Sequence, residues 1–373
     1  ISAGLFIKSL NNVSRIDLGI SPEDVVNFPI SPELNGYEFD RAKDLFVRAE
    51  DELAAIPGVN AVSAGIVPVL GGSNWGQSVS VEGFDAGPDT DVNSRTNRIG
   101  PDYFRLLGTT ILSGREFTRS DVGDEPTVAV VNETFARKFG LDPRTAVGKR
   151  MAIGGLRDDL DVEIVGLVED AKYSEVKDEV PPLFFTPYRQ QDGVGSMTFY
   201  LRTSIDPAQV MQGIRDVVAR LDPNLPVEDL KTLEAQVREN IFMDRMISTL
   251  SSAFALLATI LAAIGLYGVL SYSVAQRTRE IGLRMALGAG GPAVRGMILR
   301  QVAWMVVVGG IVGILAAVGL GRGAQSLLFE METHDPAIVL VGALLLAGVA
   351  LGAGYFPALR ASKVDPMQAL RYE

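Results

Sequence analysis

Between Arg245 and Arg277 the chain runs for 31 residues, "MISTLSSAFALLATILAAIGLYGVLSYSVAQ", without one charged side chain. No feature constrains the fold more. Two further runs follow, "QVAWMVVVGGIVGILAAVGLG" from Gln301 and "PAIVLVGALLLAGVALGAGYFPAL" from Pro336. A helix rises 1.5 Å per residue, so about 20 apolar residues cross a hydrocarbon core of about 30 Å. Buried helices of large soluble proteins are also apolar all round. Here, however, three runs crowd the last third of the chain and the charges sit in the gaps. The spacing predicts membrane spans at about 246–275, 301–321 and 336–359 within a domain covering 241–373.

The gaps carry an orientation signal. Segment 277–300 holds Arg277, Arg279, Arg284, Arg295 and Arg300 against Glu280 alone. The tail after Leu359 holds Arg360, Lys363 and Arg371 against Asp365 and Glu373, whereas 322–335 has Arg322 against Glu330, Glu332 and Asp335. Basic loops stay on the cytoplasmic side. The 277–300 loop and the C-terminus are therefore expected in the cytoplasm. The 322–335 loop and everything from 11 to 240 are expected outside. The apolar opening "ISAGLFI" reads as the end of a first, truncated span at 1–10.

Charge divides at the same place. Of 45 acidic and 34 basic side chains, residues 246–373 hold only 6 and 9, so the region before them carries a net charge of −14. Such acidity argues against nucleic acid as a partner, because phosphate binding needs concentrated lysine and arginine. With no cysteine and one histidine, His334, thiolate chemistry and histidine-rich metal sites are excluded too. The spans hold no mid-membrane charge, which disfavours a self-sufficient ion-coupled carrier. Their small residues (Gly309, Gly310, Gly313, Gly319, Gly348, Gly352 and Gly354 among them) permit close helix contact.

Residues 11–240 read as an α+β region. Phe39, Leu45, Phe46, Ala49 and Leu53 recur at helical spacing across 37–56, and "VNAVSAGIVPV" reads as a strand. "TVAVVNETFARKFG" reads as a strand and then a helix led by Asn132 and closed at Gly140. "DVEIVGLVED" and "MTFYLRTS" read as strands, "DPAQVMQGIRDVVARLD" as a helix and "PVEDL" as a short strand. Two lobes are expected, the second an insertion at about 75–180. No catalytic constellation is visible. "GGSNWG" lacks the lysine and hydroxyl of a phosphate loop, and "VGSMT" lacks the second glycine of a nucleophile elbow. The adjacent acids Glu50 and Asp51 fit a solvated face better than a catalytic dyad. Trp75, Phe84, Tyr103 and Phe104 fit core packing better than a binding surface. An enzyme is not expected, nor a catalytic residue, a cofactor or a metal.

The segment "VAQRTREIGLRMALGAG", 274–290, places a basic amphipathic helix between two spans. It suits either the anionic inner leaflet or a soluble partner. "QRTREIGLRMALGA" resembles the cytoplasmic signature of FtsX-like, MacB-type ABC transporter permeases, and "PALRASKVDPMQALRYE" resembles their C-terminal motif. "GLFIKSLNNVSRIDLGISPEDVV", "VVNETFARKFG" and "PLFFTPYRQ" resemble their extracytoplasmic core domain. The likeness is greatest to the second module of the duplicated permeases first noted in acidobacteria. It implies a non-catalytic permease that couples a separate cytoplasmic ABC ATPase to movements of the outer domain. A second permease module, as a homodimer or a covalently linked tandem copy, and anionic inner-leaflet lipid are the further partners implied. Carried onto this chain, the ATPase contact falls on Arg279, Glu280, Ile281, Gly282, Arg284, Met285, Leu287 and Gly288. The paired arginines suit carboxylates, and Ile281 and Met285, four apart, suit one groove. No ATPase motif is present. A membrane-tethered sensor or scaffold for envelope stress or antimicrobial peptides is the alternative.

Overall fold

The computed structural model describes residues 2–87, 89–123, 126–155, 159–323 and 336–362. His334, most of the 322–335 loop and the tail from Lys363 lie outside the described residues. The first part of the chain runs α1 (Ser2–Val13), β1 (Val25–Ile30), α2 (Phe39–Ala54), β2 (Val59–Gly65), β3 (Gly76–Val81) and β4 (Asn93–Ile99). Next come α3 (Tyr103–Leu107), β5 (Ile111–Gly114), β6 (Thr127–Asn132), α4 (Glu133–Lys138), β7 (Arg150–Ile153) and β8 (Val162–Val168). Then β9 (Leu183–Pro187), β10 (Met197–Thr203), α5 (Pro207–Leu221), β11 (Lys231–Thr232) and α6 (Leu233–Asn240) complete an α+β unit, Ile16–Phe242. The helices α7 (Phe242–Gln276), α8 (Thr278–Ala286), α9 (Gly291–Gly323) and α10 (Pro336–Ala361) belong, with α1, to an all-α unit.

Within the α+β unit, β11, β1, β10 and β2 form an antiparallel layer, with Phe28 opposite Phe199 and Phe199 opposite Ala64. Because side chains alternate across a strand, Val26, Phe28, Ile30, Phe199 and Leu201 share one face. They pack with Leu45, Phe46 and Leu53 of α2 and Ile214 and Val218 of α5. The helical spacing read from the sequence is the spacing of that buried face, except that Phe39, in the first turn, is 49% exposed.

Six of the remaining strands close on themselves, and β5 pairs β8 outside that ring. β3 pairs β4, β4 pairs β9, β9 pairs β6, β6 pairs β8, β8 pairs β7, and β7 pairs β3 again. Closure gives each of the six strands in the ring a partner on both sides. Its core joins Val79, Val131, Met151, Ile164 and Phe184 to Phe135 of α4 and to Phe139, which follows its last residue. Asn132 begins α4 as the sequence suggests. Its Oδ1 accepts from the N–H groups of Phe135 and Leu183, both at 2.9 Å, and its Nδ2 donates to Pro181 O at 3.0 Å. One residue thus caps a helix and ties it to the neighbouring strand.

Several expectations are corrected. "PVEDL" is not a strand, because Asp229 takes a left-handed φ of +48° and pairing begins only at Lys231. The proline-led stretch "PPLFF", not among the strands read from the sequence, supplies β9, parallel to β4 with Phe184 opposite Thr96. Glu50 is no surface acid. It is 1% exposed and paired with Arg189, while Asp51 is exposed and meets Arg119 at 2.5 Å. Burial pushes the Glu50 carboxyl up, against the pull of Arg189. Tyr103 and Phe104 are core residues in an edge-to-face pair, whereas Trp75 is 48% exposed.

In the all-α unit, three helices among the described residues are long and apolar enough to cross a membrane: Phe242–Gln276, Gly291–Ala316 and Val339–Ala361. Large apolar side chains such as Phe254, Leu261, Ile264, Trp304 and Leu344 stand exposed along them, the pattern expected of a lipid-facing surface. α9 starts at Gly291, ten residues before the apolar run, so Arg295 and Arg300 lie on its first turns rather than in a loop. In α1, Leu5, Ser9 and Val13 form a buried stripe four residues apart.

Candidate functional site

The basic segment folds as a helix in its own right. At its start Thr278 Oγ1 turns back to the carbonyls of Val274 and Ala275, at 3.1 and 2.9 Å. It ends where Gly288 takes φ +96°. The Gly288 N–H donates to Met285 O and the Ala289 N–H to Arg284 O, both at 3.0 Å. These are the two reversed bonds that close a helix through a left-handed glycine. Gly290 has no such φ, so the turn rests on Gly288 alone of the two.

The helix has two faces. Ile281 is 2% exposed and joins Val294 and Ile298 of α9 and Ala358 and Ala361 of α10, with Met285 packed against the cluster. Gly282 is buried beside it. Full burial of an isoleucine stabilises by about 2 kcal/mol, enough to hold α8 against its own helices. The opposite face carries Arg279, Glu280, Leu283 and Leu287, the two leucines 52% and 81% exposed. Arg284 bridges the two faces. Its Nη2 lies 2.6 Å from Glu280 Oε1, and its Nη1 donates to Met297 Sδ on α9 at 2.8 Å. Both partners of that pair are half exposed, and such a pair one helical turn apart contributes only a few tenths of a kcal/mol. It shapes the surface more than it stabilises it.

The structure therefore divides the eight residues singled out from the sequence. Arg279, Glu280, Arg284, Leu287 and Gly288 are exposed, Met285 is half-buried, and Ile281 and Gly282 are internal. Leu283 was not among them. Its signal lay in the sequence as the second apolar pair four apart, Leu283 and Leu287, beside Ile281 and Met285.

Behind α8 the long helices converge. A Cβ placed at Gly354 of α10 would lie 2.8 Å from Val302 Cγ2 of α9 and 3.3 Å from Leu270 Cδ1 of α7. Arg360 Nη1 donates to Tyr267 Oη at 3.0 Å across α10 and α7. The packed end of the all-α unit is thus the end that carries α8. Among the described residues no group of three or more potential ligands could hold a metal ion.

A closed barrel beside a helix-backed sheet, followed by long apolar helices with a short two-faced helix between them, defines a membrane permease module. Comparison with known proteins identifies which. Residues 10–217 match the MacB-like periplasmic core domain and residues 252–366 the FtsX-like permease C-terminal domain. The chain belongs to the MacB/FtsX family of ABC transporter permeases, and is a multi-pass membrane protein with an extracytoplasmic domain. These matched modules are non-catalytic transport components. It is 28% identical over 292 residues to the macrolide export ATP-binding/permease protein MacB 1/2 of Paracoccus denitrificans (strain Pd 1222), covering 76% of this chain and 42% of that protein. Over 361 residues it is 25% identical to MacB of Hahella chejuensis, covering 85% and 53%. The uncharacterized ABC transporter permease YvrN of Bacillus subtilis (strain 168) is 26% identical over 290 residues, covering 74% and 69%. The chain thus spans about half the length of the MacB relatives it matches. The crystal structure of the periplasmic region of MacB from Actinobacillus actinomycetemcomitans aligns with a TM-score of 0.39 at 14% identity, over 62% of this chain and 98% of that one.

Proposed function

We propose that the chain is the permease module of an ABC-type export or mechanotransmission complex, in which a separate cytoplasmic ATPase drives the extracytoplasmic domain through the membrane helices. The two-sidedness of α8 carries this reading. Ile281 fastens the helix to α9 and α10, so a push on Leu283 and Leu287 is transmitted to the spans rather than absorbed by a loose loop. Arg279 and Glu280 flank those leucines with charge of both signs, and charged groups around an apolar anchor fix the register of a docked partner.

On this reading α8 and the first turns of α9, with Arg277, Arg279, Arg284, Arg295 and Arg300, face the cytoplasm. The C-terminus shares that side, and the 322–335 connection lies outside, as the positive-inside rule requires. Arginines not engaged by the ATPase meet anionic inner-leaflet lipid. A second permease module completes the unit. The likeness of the chain to the second module of duplicated permeases supports a tandem partner. The helix-backed sheet and the barrel act as two lobes, the second inserted at about 75–180.

The test is co-purification of the full-length protein in mild detergent, with bound polypeptides identified by mass spectrometry, beside R279A/E280A/R284A. An ABC ATPase subunit is expected with the natural protein and lost from the variant. Its absence from both would replace this reading with that of a lipid-anchored sensor or scaffold.

A further inference from the structure

The helix-backed layer and the closed ring share very little sheet. Among the described residues their strands meet in one residue pair, Gly65 of β2 opposite Ile99 of β4. Its two bonds run from the Ile66 N–H to Arg98 O, 3.0 Å, and from the Gly100 N–H to Ala64 O, 2.7 Å. Within the layer, by contrast, six residue pairs join β1 to β10. Gly65 and Ile99 are also the last residues of their strands. A few residues at element ends are what absorbs the backbone change of a hinge.

On the α2 side, ion pairs hold this junction shut. The single turn Tyr188–Gln190 follows β9 and engages three neighbours in succession. Tyr188 stands edge-on to Phe46 of α2, and Arg189 pairs with Glu50 of α2. Gln190 bonds the ring, accepting from the Val128 N–H at 3.1 Å and donating to Pro126 O at 2.8 Å. One residue along α2, Asp51 takes Arg119 from the connection between β5 and β6. The inner pair is buried but sparsely bonded. Glu50 Oε1 and Ser63 Oγ would both lie 3.0 Å from a Cβ placed on Gly100, and neither Ser63 Oγ nor Arg189 Nε has a hydrogen-bond partner. Buried polar atoms are almost always paired, and a buried ion pair loses in desolvation much of what its attraction returns. Opening gives all of these groups back to water. The contact therefore fixes one position of the ring without making departure from it costly.

We propose that Glu50 and Asp51 form a polar clasp, and that its release lets the ring swing away from the helix-backed layer around Gly65 and Ile99. The other face of the layer supplies the pivot. There Tyr103 of α3 stands edge-on to Tyr200 of β10, ring centroids 5.8 Å apart, and Arg202 Nε donates to Leu106 O at 2.6 Å. The inference takes from the proposed function only that layer and ring are two lobes. It needs no ATPase, so loss of the coupling reading would leave it standing.

Spin-label distances in the full chain in detergent test it. The chain has no cysteine of its own, so nitroxides are placed at A219C, exposed on α5, and R144C, exposed on the ring side. One dominant distance is expected. E50Q/D51N/R119Q/R189Q removes both ion pairs and leaves no buried charge uncompensated. It should raise the share of a second, longer distance about fivefold or more. D51N/R119Q, at exposed sites, should fold whatever the quadruple variant does and raise that share about twofold. V79A, which thins the ring's own core and leaves the clasp intact, should lower the melting temperature without adding the longer distance. An unchanged single distance in every clasp variant that folds, or the same longer distance in V79A, would overturn the proposal.

Discussion

Gly354 of α10 and Val302 of α9 stand so close that a Cβ on the glycine would lie 2.8 Å from Val302 Cγ2. Backbone contact of this kind fixes the spacing of the long helices just behind α8. Overpacking a well-fitted contact costs about 1–3 kcal/mol. Gly354→Leu is therefore expected to lower the thermal midpoint of the detergent-solubilised protein. Gly348→Leu, whose added Cβ would meet nothing within 4 Å, should leave it unchanged. Equal effects at the two positions would contradict this packing.

Ile281 and Leu283 lie two residues apart on opposite faces of α8, and their substitutions should separate stability from partner binding. Ile281→Ala removes a buried side chain and should destabilise by about 2–4 kcal/mol. Leu283→Ala and Leu287→Ala, at exposed sites, should stay within about 0.5 kcal/mol of the natural protein. Paired unfolding curves decide the matter.

Asn132 makes three hydrogen bonds through one buried side chain. Asn132→Ala leaves two N–H groups and a carbonyl unpaired, at about 2–3 kcal/mol. Asn132→Asp keeps both acceptor bonds and should cost less at neutral pH. Denaturant titration reads the difference.

Asp121 carries the clearest pH signature. Burial works to raise its pKa, but the paired bonds from Arg115, both at 2.8 Å, and the Thr118 N–H outweigh it and hold the carboxyl below the usual range. A depressed folded-state pKa stabilises above the unfolded value, about 3.9, and the contribution fades as pH falls through the folded one. Asp121→Asn should therefore cost about 1 kcal/mol at pH 7, a figure kept low because Arg115 is half exposed. Below pH 3 the difference should narrow toward zero. A constant difference from pH 7 to pH 2 would exclude the linkage.

Legibility in the sequence followed the range of the interactions. The long helices were visible because an uncharged run of 31 residues admits few alternatives, and α4 because Asn132 signals locally. The closed ring was hidden. β3, "GQSVSV", and β4, "NSRTNRI", lack the apolar alternation of a half-buried strand. β4 also finds its parallel partner β9 some 90 residues away. Prolines at 181 and 182 disguised β9 further. On α8 the apolar residues were evident, but their facing was not. Ile281 with Met285 and Leu283 with Leu287 show the same spacing, and only packing against Val294, Ile298 and Ala358 turns the first pair inward.

That facing is what a photo-crosslinking side chain can test in native membranes. With the crosslinker at position 287, an adduct with an ABC ATP-binding subunit is predicted. At position 281, buried against α9 and α10, only adducts within the chain are expected. Lipid adducts alone at 287, or an ATPase adduct at 281 and none at 287, would contradict the coupling role of this helix.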